Sequence, residues 1–129
     1  FHDSVPSLLR HTDILSLHCT ASEETRGMID TDALAQLPHG AILINTARGD
    51  MVDDDAVIAA LRSGQLSAAG LDVFKGEPHM DPRYRERGNV LLLPHLGSAT
   101  LEARTAMGML ALDNLDDFFA HKEPANHLF

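Results

Sequence analysis

Apolar residues gather in four short runs, at positions 14–17, 41–44, 68–73 and 90–93. Each is four to six residues long and bounded by polar residues, glycine or proline, the pattern of strands buried on both faces. Their first residues are 27, 27 and 22 positions apart. That interval holds a strand, a crossover helix and a return. In the first gap, Asp30 or Thr31 can cap a short helix that runs to Leu37 and stops at Pro38. In the second, Asp53, Asp54 and Asp55 open a helix through Ala56, Val57, Ala60 and Leu61, with Gly64 placed to cap its end. Carboxylates at that start suit the helix dipole. Strand and helix in alternation predict an α/β fold: a parallel sheet with crossover helices.

The third gap, residues 75–89, holds two prolines and little apolar periodicity. It reads as an ordered loop with one helical turn from Pro82. Beyond the last run, Met107, Leu110, Ala111, Asn114, Leu115, Phe118 and Phe119 fall at i, i+3, i+4 and i+7. The spacing predicts a long C-terminal helix with one apolar stripe, starting at Ser98 or Thr100 and ending before Pro124. Residues 121–129 show no clear element.

Composition narrows the class. The 129 residues are 44% apolar and 22% charged, as in one ordinary soluble domain. No run approaches the ~20 apolar residues that span a bilayer, and no basic-then-apolar leader opens the chain. Ten Lys plus Arg against nineteen Asp plus Glu leave a net charge of −9, which disfavours nucleic acid and anionic membrane as partners. The single cysteine, Cys19, cannot form an internal disulfide, so a reducing, cytoplasmic setting is expected. Because the first residue is Phe1 rather than Met, the chain is expected to be processed, trimmed or part of something longer.

Ligands of open parallel α/β sheets bind beyond the carboxyl ends of the strands. After the first run stand His18, Cys19 and Thr20; after the second, Asn45, Thr46, Ala47, Arg48 and Gly49. Asp72 lies near the end of the third, followed by Gly76, Glu77 and Pro78; Pro94, His95, Leu96, Gly97 and Ser98 follow the fourth. Arg48, Glu77 and His95 are the informative members. A guanidinium fork grips a carboxylate or a polarised carbonyl with two hydrogen bonds. An imidazole exchanges protons near neutral pH, and a carboxylate beside it fixes the ring. Together they suit an anionic substrate with a carbonyl that gains or loses a proton.

Other chemistries fail on spacing. No two of the nine glycines lie closer than six positions, which excludes both G-x-G-x-x-G and the P-loop from these residues. There is no G-x-S-x-G elbow, no H-E-x-x-H and no cysteine pair. No metal site is therefore expected, despite eight histidines. His2, His11, His39, His79, His121 and His127 read as surface residues, and His18 as a half-buried, hydrogen-bonded strand end.

Five ordered motifs resemble one family: residues 18–27 (HCTASEETRG), 44–50 (INTARGD), 70–74 (GLDVF), 76–78 (GEP) and 94–100 (PHLGSAT). In this order they are similar to the D-isomer-specific 2-hydroxyacid dehydrogenases. The last motif and the tyrosine-containing loop before it look most like the glyoxylate/hydroxypyruvate reductase and glycerate dehydrogenase branches. Glu77 argues against the formate dehydrogenase branch. The resemblance implies that Arg48 binds the substrate's carboxylate and carbonyl, that His95 is the acid/base, and that Glu77 pairs with His95 and keeps it protonated. It further implies that Asp72 binds the nicotinamide carboxamide of NAD or NADP, while Cys19, Thr46, Ala47, Gly97 and Ser98 line the cofactor. A homodimer is implied as well. The same scaffold also occurs in non-enzymatic, nucleotide-sensing corepressors, and a stand-alone assembly module is a third reading. Steady-state cofactor oxidation separates these.

The resemblance covers the second half of a Rossmann-type doubly wound domain plus the long C-terminal helix. Residues 1–100 correspond to the partial dinucleotide-binding domain, and residues 101–129 to the helix and tail leading back towards a substrate domain. Phe1, His2 and Asp3 resemble a late segment of the domain's first half. The pyrophosphate-binding glycine turn and the position that separates NAD from NADP fall outside these residues. The first strand would then carry an unpaired edge, and the 129 residues alone are expected to bind cofactor weakly and to turn over little.

Overall fold

A computed structural model describes residues 1–127. The elements run α1 (Val5–Leu9), β1 (Ile14–Leu17), α2 (Thr31–Ala35), β2 (Ala41–Asn45), α3 (Asp54–Ser63), β3 (Leu66–Leu71), β4 (Val90–Leu92) and α4 (Leu101–Phe119). The chain divides into two compact units, Phe1–His95 and Leu96–Phe129. The first holds the sheet. Its order is β1-β2-β3-β4, and every neighbouring pair is parallel.

Crossover helices follow from their caps and apolar faces. The Asp53 carboxylate accepts the Ala56 N–H at 2.9 Å to start α3, and Gly64, at φ 83°, ends it in the left-handed conformation. Between them Ala56, Val57, Ile58, Ala60 and Leu61 are buried. Each large apolar side chain removed from water contributes about 1.5–3 kcal/mol, against ~1 kcal/mol for the cap, so the face holds α3 more than its ends do. Asp30 caps α2 through the Ala33 N–H at 2.8 Å. This helix ends at Ala35 rather than at Leu37, because the Gln65 amide donates to the carbonyls of Leu34 (2.8 Å) and Leu37 (2.9 Å) and replaces the last turn.

The strands do not bury both faces, which corrects the reading of their apolar runs. In β1, Leu15 and Leu17 are buried while Ile14 and Ser16 are exposed; in β2, Ala41, Leu43 and Asn45 are buried and Ile42 and Ile44 half-buried. The connectivity explains it. Successive right-handed crossovers along β1, β2 and β3 place α2 and α3 on one face, where the two helices pack together. The third strand also begins earlier and ends at Leu71, leaving Asp72 and Val73 just beyond it.

The third connection is a 3₁₀ turn at Pro82–Glu86. Tyr84 is buried there, and its hydroxyl donates to Asp54 at 2.7 Å. Burial pushes the pKa of Asp54 up despite that bond, and burial, then the Asp54 bond, push that of Tyr84 up. Arg83 adds ion pairs to Asp55 and Asp81, both at 2.6 Å, stapling the loop to the start of α3. Helix α1 has no apolar stripe to announce it in the sequence. Ser4 caps it through the Ser7 N–H at 3.3 Å, and only Leu9 is buried.

In the second unit, Thr100 caps α4 by accepting the Ala103 N–H at 3.2 Å. None of the α4 residues is buried. Met109 and Leu112 are exposed alongside Met107, Leu110, Leu115, Phe118 and Phe119, so the apolar surface is wider than the single stripe expected. Asn114, placed in that stripe by spacing, donates instead to the Leu110 carbonyl at 2.9 Å and accepts the Asn126 N–H at 3.3 Å. Residues 121–127 form no helix or strand, and positions 128–129 of the expected tail lie outside the described residues. Among the described residues no helix is long and apolar enough to cross a membrane.

Candidate functional site

Three connections at the carboxyl edge of the sheet deliver the charged residues. Arg48 follows β2 in extended conformation and leads into a 3₁₀ turn at Gly49–Met51; its Nη1 donates to the Ala47 carbonyl at 2.6 Å. Glu77 lies six residues beyond β3. One of its oxygens, Oε1, accepts the Phe74 N–H at 2.8 Å. The other, Oε2, lies 2.7 Å from Nδ1 of His95. His95 stands three residues past β4 at φ 55°, a left-handed conformation uncommon outside glycine. Arg48, Glu77 and His95 border one cavity of about 310 Å3, with Ala21, Asp50 and Phe74 among its walls.

Electrostatics set the state of the carboxylate. Burial works to raise the pKa of Glu77. The hydrogen bonds from His95 and the Phe74 N–H, with the charges of His95 and Arg48, more than offset it and hold the group below the ordinary carboxylate range. Glu77 is therefore an anion at neutral pH, oriented by backbone on one oxygen and facing imidazole with the other. Such a pair can orient a proton donor beside a cation that grips an oxyanion.

A second cleft, about 450 Å3, lies beyond β1 and β2 and is lined by His18, Cys19, Thr20, Thr46, Ala47 and Arg48. Ala21 and Arg48 border both hollows. Of the residues that the motifs suggest for a cofactor, Cys19, Thr46 and Ala47 thus share this cleft. Asp72 is buried just past β3, its N–H donating to the Asn45 carbonyl at 3.0 Å, and lines neither hollow. Gly97 and Ser98 belong to the second unit, in the turn before α4, with Ser98 at φ 61°.

Smaller expectations resolve unevenly. His2, His11, His39, His79, His121 and His127 are all exposed. His18 is exposed rather than half-buried, although its Nε2 does pair with the Ser16 hydroxyl at 2.8 Å. Cys19 is exposed, with its sulfur 3.7 Å from that of the buried Met51. Asn45 and Gly49 also shape the site, although their positions in the sequence mark them only as strand-edge residues. A polar side chain closing a fully apolar strand was the available signal for Asn45.

A parallel sheet with ligand-sized clefts at its carboxyl edge defines a Rossmann-like nucleotide-binding architecture. Residues 1–97 match the profile of the D-isomer specific 2-hydroxyacid dehydrogenase, NAD binding domain, and the chain belongs to that family. It is 45% identical over 119 residues to the glycerate dehydrogenase of Hyphomicrobium methylovorum, covering 92% of this chain and 37% of that protein. The chain thus spans little more than a third of that relative's length. Among solved structures, a D-isomer specific 2-hydroxyacid dehydrogenase from Polaromonas sp. JS6 66 superposes with a TM-score of 0.95 at 46% identity, covering 99% of this chain and 40% of that one. The NADPH-dependent glyoxylate/hydroxypyruvate reductase of Sinorhizobium meliloti, solved with NADP and malonate, has a TM-score of 0.88 at 36% identity, covering 92% of this chain and 37% of that one.

Proposed function

We propose that the protein carrying this chain is an NAD(P)-dependent D-2-hydroxyacid dehydrogenase or reductase acting on glyoxylate, hydroxypyruvate or a similar small 2-oxoacid. One observation carries the reading: Nδ1 of His95 lies 2.7 Å from Glu77 on a cavity that Arg48 also borders. Arg48 holds the substrate carboxylate and its carbonyl oxygen with the guanidinium fork. His95 gives a proton to that oxygen during reduction and takes it back during oxidation. Glu77 orients the ring and supplies a counter-charge when the imidazolium forms.

The nicotinamide cofactor, when bound, supplies or accepts the hydride. Residues present fit its nicotinamide end: a roomy cleft lined by small and polar groups, Cys19, Thr46 and Ala47, adjoins the cavity through Arg48. Asp72, Gly97 and Ser98 are proposed as further cofactor contacts. No glycine-rich phosphate turn occurs within the 129 residues, so these side chains hold the reactive end rather than the pyrophosphate. The proposal extends to a homodimer in the cytoplasm, supported by the exposed apolar side chains of α4 and the unpaired Cys19. Light scattering of the full-length gene product tests the dimer.

Activity is tested by following NADH and NADPH oxidation by that full-length protein with glyoxylate, hydroxypyruvate and pyruvate. Turnover with the first two is expected. Absence of oxidation with every 2-oxoacid offered would overturn the assignment.

A further inference from the structure

We infer that Asn45 and Gly49 are positioning residues for Arg48, and that together they set the gap between its guanidinium and the His95–Glu77 pair. The inference rests on the reading of this cavity as an oxoacid site.

Asn45, the last residue of β2, is fully buried. A buried amide is costly unless both of its ends find partners. Here Nδ2 donates to the Arg48 carbonyl at 2.9 Å, and Oδ1 accepts the Ala47 N–H at 3.0 Å. The Asn45 backbone carbonyl meanwhile accepts the Asp72 N–H at 3.0 Å. One side chain therefore closes the loop that presents Arg48, while its backbone ties that loop to the end of β3. Aspartate has the acceptor but no donor for the Arg48 carbonyl, leucine has neither, and glutamine is longer by a methylene.

Gly49 works through space. It is buried, and a Cβ added to it would overlap the carbonyl carbon and oxygen of Phe74 and the nitrogen of Lys75. Its φ lies outside the left-handed region, so glycine serves here for close approach rather than for backbone freedom. Backbone atoms cannot rotate away as a side chain can. Phe74 is also the residue whose N–H holds Oε1 of Glu77. The contact that seats the Arg48 loop is thus one peptide unit from the bond that aims Glu77 at His95. Any side chain at position 49 parts the two loops by a distance on the order of 1 Å, the scale at which rate losses of about 10²-fold set in.

The test uses the full-length protein. Gly49→Ala should raise KM for the 2-oxoacid and lower kcat/KM by about 10²-fold, with a cooperative melt and cofactor affinity changed by no more than about twofold. In an Arg48→Ala background the same change should cost no more than about twofold further, because its effect runs through Arg48. Losses that multiply in the double variant, or an unchanged KM in the single one, overturn the inference. A crystal structure of Gly49→Ala supplies a readout independent of turnover: the backbone separation of Arg48 and Glu77 should widen by about 1 Å, and an unchanged separation refutes the positioning role even in a protein that reduces no oxoacid. Should Gly49→Ala fail to fold, Asn45→Asp is measured in the same way and should displace the Arg48 carbonyl. An unmoved carbonyl overturns the inference.

Discussion

Nδ1 of His95 lies 2.7 Å from Oε2 of Glu77, while the other carboxylate oxygen accepts the Phe74 N–H at 2.8 Å. The hydrogen bonds from His95 and the Phe74 N–H hold the Glu77 pKa below the ordinary carboxylate value, so at neutral pH the group engages both partners as an anion. A carboxyl group depressed on folding contributes stability above its unfolded pKa of about 4.3 and loses it as pH falls through the lower folded value. On acidification from neutral pH, the melting-temperature difference between wild type and Glu77→Gln should therefore persist down to about pH 4.3 and shrink below it. Paired thermal melts over that acid range check it; a difference already lost before pH falls to about 4.3 contradicts the pairing.

Arg48→Lys replaces an oriented fork by a point charge. Losing one charge-assisted hydrogen bond costs about 1.5–3 kcal/mol, which corresponds to about 10–100-fold. Steady-state kinetics of the full-length protein should show KM for the oxoacid raised and kcat lowered. If KM stays at the wild-type value, Arg48 does not bind the substrate carboxylate.

The polypeptide of these 129 residues, by itself, should bind NADH and NADPH weakly, since phosphate anchoring at a glycine-rich helix start is usually a major part of such affinity. Calorimetric titration measures this directly. Saturation with a Kd of about 1 μM would contradict the proposal that these side chains hold only the reactive end of the cofactor.

Tyr84 joins the loop beyond Glu77 to α3 through its 2.7 Å bond to Asp54. Tyr84→Phe preserves the ring but leaves a partly buried carboxyl without its donor, a loss of about 1–3 kcal/mol. Denaturant unfolding should report it with little change in m-value. Equal midpoints would mean that water replaces the hydroxyl freely.

Legibility in the sequence followed the range of the forces involved. Helices α2 and α3 and the start of α4 were readable because Asp30, Asp53 and Thr100 cap their own chains three residues away. The parallel pairing followed from the spacing of the runs together with the helical signals between them. Strand faces are not legible in the same way, since a run such as 41–44 looks apolar throughout whether one side or two are covered, and coverage depends on where the crossovers land. Helix α1 leaves no sequence signal of this kind, because it buries only Leu9 and offers no stripe. Within the site, Arg48, Glu77 and His95 could be named from order along the edge and from resemblance. Gly49 could not, because its reason is the path of another loop 25 residues onward, at Phe74. Nor could the left-handed turn at His95 be read from its neighbours.

Turnover of hydroxypyruvate by full-length wild type and by His95→Gln, at saturating cofactor, tests the shared proton donor most directly. The geometry predicts kcat lower by ~10²–10⁴ in the variant, with cofactor affinity preserved. Equal kcat in the two proteins would contradict it and remove the imidazole from the chemistry.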